Sequence, residues 1–180
     1  MRPTDMLREE HRVIEQVLNC LQKLAADAFG RGTLDGAAAR EVLDFLRNFA
    51  DGCHHGKEEG ILFPAMEARG FDRRYGPTGV MMTEHNLGRE LLAGMEANLD
   101  AAAAGDWDAT ERFASLAAAY VRLLRDHILK EDYRLFPMAE QTFTAAEQEA
   151  LLERFAAAEE TEVGAGAHEH YLALADRLAD

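Results

Sequence analysis

Apolar side chains recur at steps of three and four along most of the chain, and the alternating β-branched runs that mark strands do not occur. The first stretch spans about Thr4 to Phe29, with Leu7, His11, Ile14, Leu18, Leu21, Ala25 and Ala28 on one face, and the glycines from Gly30 to Gly36 end it. A second helix over about Ala37 to Ala68 carries Leu43, Leu46, Ala50 and Ile61 on its apolar face; the loop from Gly70 to Gly79, with Pro77, follows. A third, about Val80 to Ala104, presents Met82, His85, Leu92, Met95 and Leu99. Gly105-Asp-Trp-Asp separates it from a fourth, about Asp108 to Glu140. Four amphipathic helices joined by short loops predict an all-α fold, an antiparallel up-down-up-down four-helix bundle over residues 1–142. Thr144-Ala-Ala-Glu147 then has the form of a capping box that opens a further helix, and Gly164 and Gly166 set off a last short one. Leu151, Leu152, Phe155, Leu172, Leu174 and Leu178 give this extension, 143–180, an apolar face expected to pack along the outside of the same domain.

Composition changes the picture mainly by exclusion. The 180 residues, 48% of them apolar, are enough for one core. Lys and Arg number 19 against 33 Asp and Glu, and a net charge of −14 repels phosphate backbones and anionic lipid, so neither nucleic acid nor membrane is an expected partner. Cys20 and Cys53 form no CxxC pair, which removes a disulfide framework and a thiolate zinc site, and each reads as a small buried apolar residue. The opening Met-Arg-Pro-Thr-Asp reaches charge at once without an apolar run of signal-peptide length, so a cytoplasmic location is expected.

The informative pattern is an internal repeat. His54-His-Gly-Lys-Glu-Glu-Gly-Ile-Leu-Phe-Pro64 and His127-Ile-Leu-Lys-Glu-Asp-Tyr-Arg-Leu-Phe-Pro137 share the form His-x-x-Lys-Glu-(Glu or Asp)-x-x-Leu-Phe-Pro, displaced by 73 residues. A weaker pair, Glu10-His11 with Leu18 and Glu84-His85 with Leu92, is displaced by 74. The chain therefore reads as two related helical hairpins, each offering one His from its first helix and a His-x-x-x-Glu from its second. Residues i and i+4 stand on one helix face, so His54 with Glu58, and His127 with Glu131, form chelating pairs. His54 and Glu58 continue the inward row Leu43, Leu46, Ala50, Ile61. His127 and Glu131 extend Phe113, Ala117, Tyr120 and Leu124. The neighbouring His55 and Glu59 continue Asp44, Asn48 and Asp51 and are expected to face water.

His11, His54, Glu58, His85, His127 and Glu131 thus converge inside one bundle. Two buried carboxylates cost several kcal/mol unless something offsets them. Imidazoles suit iron, zinc, copper and nickel, and carboxylates can bridge two ions. Six donors are too many for one tetrahedral zinc, so the mixture favours a dinuclear centre, two irons bridged by Glu58 and Glu131. A single His on an apolar face is usually a hydrogen-bonded core residue; four at repeat-related positions, two with Glu partners, are not.

These motifs resemble the hemerythrin-like domains, also called HHE cation-binding domains, over roughly Thr4 to Glu140. The resemblance implies a four-helix bundle holding a non-haem di-iron centre that binds dioxygen and, in some members, nitric oxide or peroxide, with the six residues named above as the ligands. Ferritin-like carboxylate proteins need Glu-x-x-His pairs, which the chain lacks; only Asp51-x-x-His54 comes close. Two features depart from the oxygen-carrying members. At i+4 after His85 stands Arg89 where they have a second His, which leaves one ligand fewer and implies sensing, repair or peroxide handling rather than dedicated carriage. Asp132 also satisfies the His-x-x-x-x-Asp spacing of the carriers, although the inward row favours Glu131 as the bridge. The expected function is a metal-binding protein that binds or reduces O2, NO or peroxide, with an iron or cation sensor or store as the alternative.

The remaining candidates have plainer readings. Leu62-Phe63-Pro64 and Leu135-Phe136-Pro137 read as helix-ending core packing. Tyr120 reads as a core tyrosine, and nothing in the helical pattern aims His168 or His170 inward.

Overall fold

Long helices start and stop where the local chemistry provides for it. In this computed structural model, which describes residues 1–159 and 166–179, α1 (Pro3–Arg31) opens on Pro3, whose missing N–H is an orphan there in any case. It closes at Gly32 with φ 73°, the left-handed cap a glycine adopts without strain. Asp35 caps α2 (Gly36–Phe45) by accepting from the N–H groups of Ala37 and Ala38. Without a break the backbone continues as two π-helical stretches, π1 (Leu46–His55) and π2 (Glu58–Leu62), into α3 (Phe63–Glu67). α4 (Pro77–Ala103) and α5 (Trp107–Lys130) complete the bundle, and α5 runs through π3 (Glu131–Leu135) into α6 (Phe136–Thr142).

The π turns explain why the two Leu-Phe-Pro motifs do not end their helices, contrary to the expectation from the sequence. A proline inside an α-helix lacks one N–H and clashes with the carbonyl four residues back. Here the N–H of Phe63 reaches the carbonyl of Glu58, five residues back, and that of Phe136 reaches Glu131. The widened turn makes room for each proline ring, and the helix goes on for another turn or two.

The interior is apolar at both ends and polar in the middle. One cluster contains Ile14, Leu18, Phe45, Phe49, Leu92, Phe113 and Tyr120; the other contains Leu7, Leu62, Phe63, Met81, Leu135 and Phe136. Along α1 His11 falls between Leu7 of one and Ile14 of the other, and along α4 His85 falls between Met81 and Leu92. The histidine layer is therefore sandwiched between two dry cores.

The extension packs on this bundle. α7 (Ala145–Ala158) opens with the capping box of Thr144 and Glu147 and sends Leu151 and Phe155 into the smaller cluster; α8 (Ala167–Ala179) sends Tyr171, Leu174 and Ala175 into the larger. Gly166 precedes α8 with φ 81°, and Gly164 lies outside the described residues. Among the described residues, no helix is long and apolar enough to cross a membrane. Leu174→Ala should cost about 2–4 kcal/mol in urea unfolding, as for a buried leucine in a packed core. A loss below about 0.5 kcal/mol, the range of exposed sites, would mean that α8 does not dock in solution.

Candidate metal centre

All six histidine and glutamate residues singled out by the repeat are buried, each at 1% exposure or less. They form two groups with ligand atoms within 4.8 Å of one another: His11, His54, Glu58 and Glu131 in one, and His55, Glu58, His85 and His127 in the other. Each carboxylate spans both groups. Glu58 places Oε1 3.7 Å from His54 Nε2 and Oε2 3.5 Å from His85 Nε2. Glu131 places Oε2 3.2 Å from His11 Nε2 and Oε1 3.2 Å from His127 Nε2.

His55 is the correction to the sequence reading. Expected to face water, it is 4% exposed and stacks on the His85 ring at a centroid distance of 3.8 Å. The cause is π1. Its wider turns delay the rotation of successive side chains, so that adjacent His54 and His55 both point inward, whereas an α-helix would hold His55 in the polar row of Asp44, Asn48 and Asp51. Arg89, where a second α4 histidine was missed, instead binds Asp51 at 2.9 Å and Glu59 at 2.7 Å. The nitrogen lacking from α4 thus comes from π1.

Behind the inner groups lies a layer of carboxylates. Nδ1 of His11 bonds to Asp132 (2.8 Å), of His54 to Glu10 (2.8 Å), of His85 to Glu59 (2.7 Å), of His127 to Glu84 (2.9 Å) and of His55 to Asp51 (3.2 Å). A carboxylate only accepts, so each Nδ1 carries the hydrogen and each Nε2 is left facing inward, the arrangement that orients imidazoles at metal sites. Cations hold the carboxylates in turn: Lys57 on Glu10, Lys130 on Glu84, Arg12 on Asp132, and Arg89 on both Asp51 and Glu59. The two lysines of the repeat and Glu59, to which sequence reasoning gave no role, belong to this layer. Asp132, weighed from the sequence as the alternative bridge, belongs there too, half-buried behind His11, whereas Glu131 reaches both groups. His168 is half-buried against Phe49, His170 is exposed, and neither is in the two groups. Tyr120 is in the larger core, as expected.

The donor set calls for cations. Among the described residues, all four oxygens of Glu58 and Glu131 are buried without a hydrogen-bond partner. His11 Nε2 lies 3.0 Å from His54 Nε2, and His85 Nε2 lies 3.1 Å from His127 Nε2. Two inward lone pairs at that distance require a proton or a metal between them. Burial and the neighbouring Glu131 push the Glu58 carboxyl well above the usual range; burial acts on Glu131 in the same sense, but His127 and His11 outweigh it and hold that group well below. Burial would likewise lower His127 and His11. Glu131 and Glu84 nevertheless hold His127 at about 9, and Asp132 and Glu131 raise His11. His54 and His55 are held low by burial and by neighbouring imidazoles. Within each histidine pair, His11 and His127 therefore hold a proton more readily than His54 and His85 do.

Metal binding must displace those protons. The contribution of His127 to the stability of the metal-free protein is fully present below pH 6.5 and is lost as pH rises through about 9. The gap in Tm between metal-loaded and metal-free protein should accordingly widen from pH 6.5 to 9. A gap that narrows over this range would contradict the proton assignment.

Comparison with known proteins agrees with this geometry. Residues 2–139 match the hemerythrin HHE cation-binding domain. The chain is 30% identical over 182 aligned positions to uncharacterized protein Rv1995 of Mycobacterium tuberculosis (strain ATCC 25618 / H37Rv) and to uncharacterized protein Mb2018 of Mycobacterium bovis (strain ATCC BAA-935 / AF2122/97), covering 99% of this chain and 68% of each relative. No solved structure matches it. With five inward imidazoles and two spanning carboxylates in a four-helix bundle, the chain belongs to the hemerythrin HHE cation-binding family.

Proposed function

We propose that the centre holds two iron ions bridged by Glu58 and Glu131 and that it binds or reduces a small ligand: dioxygen, nitric oxide or a peroxide. The observation that carries this reading is the span of the two carboxylates, each with one oxygen toward each histidine group. His55, His85 and His127 would serve one ion and His11 and His54 the other. A mixture of imidazole and carboxylate suits iron. Bound iron would supply one-electron chemistry and open coordination positions. With two nitrogens against three, the His11 side has more room for an exogenous ligand.

The residues of the chain itself fix and seal the site. The outer carboxylates hold the five rings against rotation and keep the proton on Nδ1. Phe136 stacks on His11 at 5.4 Å and Phe63 on His85 at 5.8 Å, so the phenylalanines of the two Leu-Phe-Pro motifs form an apolar wall against the histidines. Such a wall excludes bulk water and favours a small ligand of little charge. His55 makes up the nitrogen that Arg89 withholds, so a shortage of ligands no longer speaks against oxygen carriage.

The test is iron content and absorption of anaerobically purified protein before and after oxygen, followed by assays with NO and peroxide. Two irons per chain with a ferric spectrum that develops on oxygenation is the expected result, and Glu58→Ala should retain one iron or none. Two irons retained in that variant would sink the bridging assignment. Stability that rises steeply with iron while NO and peroxide consumption stay at background would establish storage or sensing in place of turnover.

A further inference from the structure

A second set of donors converges on the outward side of Glu10. Cys53 on π1, Glu159 just after α7, His168 on α8 and Glu10 on α1 bring ligand atoms within 4.8 Å of one another. The Cys53 thiol points at Glu159 Oε1 from 4.0 Å, and His168 Nδ1 lies 3.6 Å from the same oxygen. That nitrogen is buried and has no hydrogen-bond partner among the described residues. Phe49 packs against the His168 ring at 5.4 Å and fixes its approach. The ammonium of Lys57 sits between Glu10 and Glu159, 2.5 Å from Glu159 Oε1.

We propose that Cys53 Sγ, His168 Nδ1 and Glu159 Oε1 form a separate site for one divalent cation of the thiolate-binding class, of which zinc is the commonest. Bond lengths of about 2.0–2.3 Å place the donors of a tetrahedral zinc roughly 3.3–3.8 Å apart. The 3.6 Å separation already fits and the 4.0 Å separation needs only a small contraction. The charge count closes as well. Glu10 and Glu159 carry two negative charges against one positive on Lys57, which leaves one uncompensated in a half-buried place. When the sulfur–metal bond forms, the thiol proton leaves to solvent, and three negative charges then balance Lys57 plus a divalent ion. Glu10 need not leave His54 or Lys57. The main centre offers only nitrogen and oxygen donors and this one offers sulfur, so the two sites prefer different ions. The donors of this site, Cys53, Glu159 and His168, are distinct from those of the main centre, and the site ties the extension to the bundle: α1, π1 and the flanks of α7 and α8 meet there.

Titration of Co2+ into the full-length protein tests this directly. A thiolate-to-cobalt charge-transfer band in the near ultraviolet requires a sulfur–cobalt bond, which the main centre cannot give whatever its metal content. One sulfur-bound cobalt per chain is expected, lost in Cys53→Ser, retained in Cys20→Ser and displaced by Zn2+. His168→Ala, at a half-buried surface position where folding is not at stake, should weaken cobalt binding by about tenfold or more. No band, a band that follows Cys20 instead of Cys53, or unchanged cobalt affinity in His168→Ala would overturn the proposal.

Discussion

Two carboxylates, Glu58 and Glu131, sit fully buried at the centre of this protein, and among the described residues none of their four oxygens has a hydrogen-bond partner. Burying one charge of this kind costs several kcal/mol, and two of like sign side by side cost more. The surrounding structure responds to that constraint. Five imidazoles are turned so that their inward nitrogens meet the carboxylates, and five outer carboxylates fix the rings. Lysines and arginines then hold the outer carboxylates, Lys57 from within the interior and the others nearer the surface. Charge alternates outward in shells, so no ion is left without a neighbour of opposite sign, and the innermost shell is completed by protons or metal.

Much of this was legible in the sequence because it is periodic. A pair of hairpins with a shared eleven-residue signature identifies the bundle, and the i, i+4 spacing of His54 with Glu58 and of His127 with Glu131 aims four side chains at one point. The helix boundaries fell close to expectation because glycines and prolines mark them. His55 was not legible, and the reason is physical: a face is inferred by assuming 3.6 residues per turn, and π1 breaks that assumption over ten residues. A second widened stretch, π2, carries Pro64 through the helix, so the expectation that Leu-Phe-Pro ends a helix and the expectation about His55 failed for the same kind of reason. The outer carboxylates were visible as repeat positions, but their role depends on which helix lies beside which. Periodicity within a single helix does not contain that.

The extra nitrogen from π1 also breaks the symmetry of the repeat. The second copy has Ile128 and Leu124 where the first has His55 and Asp51, so the two sides of the centre differ by one imidazole and its supporting acid. Arg89 completes this difference by holding the two acids behind His55 and His85 together. On the proposed two-ion reading, these unequal sides would direct an incoming ligand to one ion.

Four of the five outer carboxylates run around the bundle in one direction, Asp51 staying on the helix of its own His55. The α1 acid Glu10 supports His54 on the second long helix; Glu59 of that helix supports His85 on α4; Glu84 of α4 supports His127 on α5; and Asp132, on the same long helix as His127, returns to His11 on α1. Each long helix therefore gives a carboxylate to the next and receives one for its own imidazole from the one before. Cut between its two halves, the cycle leaves the first hairpin with one unsatisfied acid, Glu59, and one unsatisfied imidazole, His11. Those two ends are complementary to each other. A hairpin of this design is self-complementary under two-fold rotation, so two identical copies would close the same circuit that here is closed within one chain.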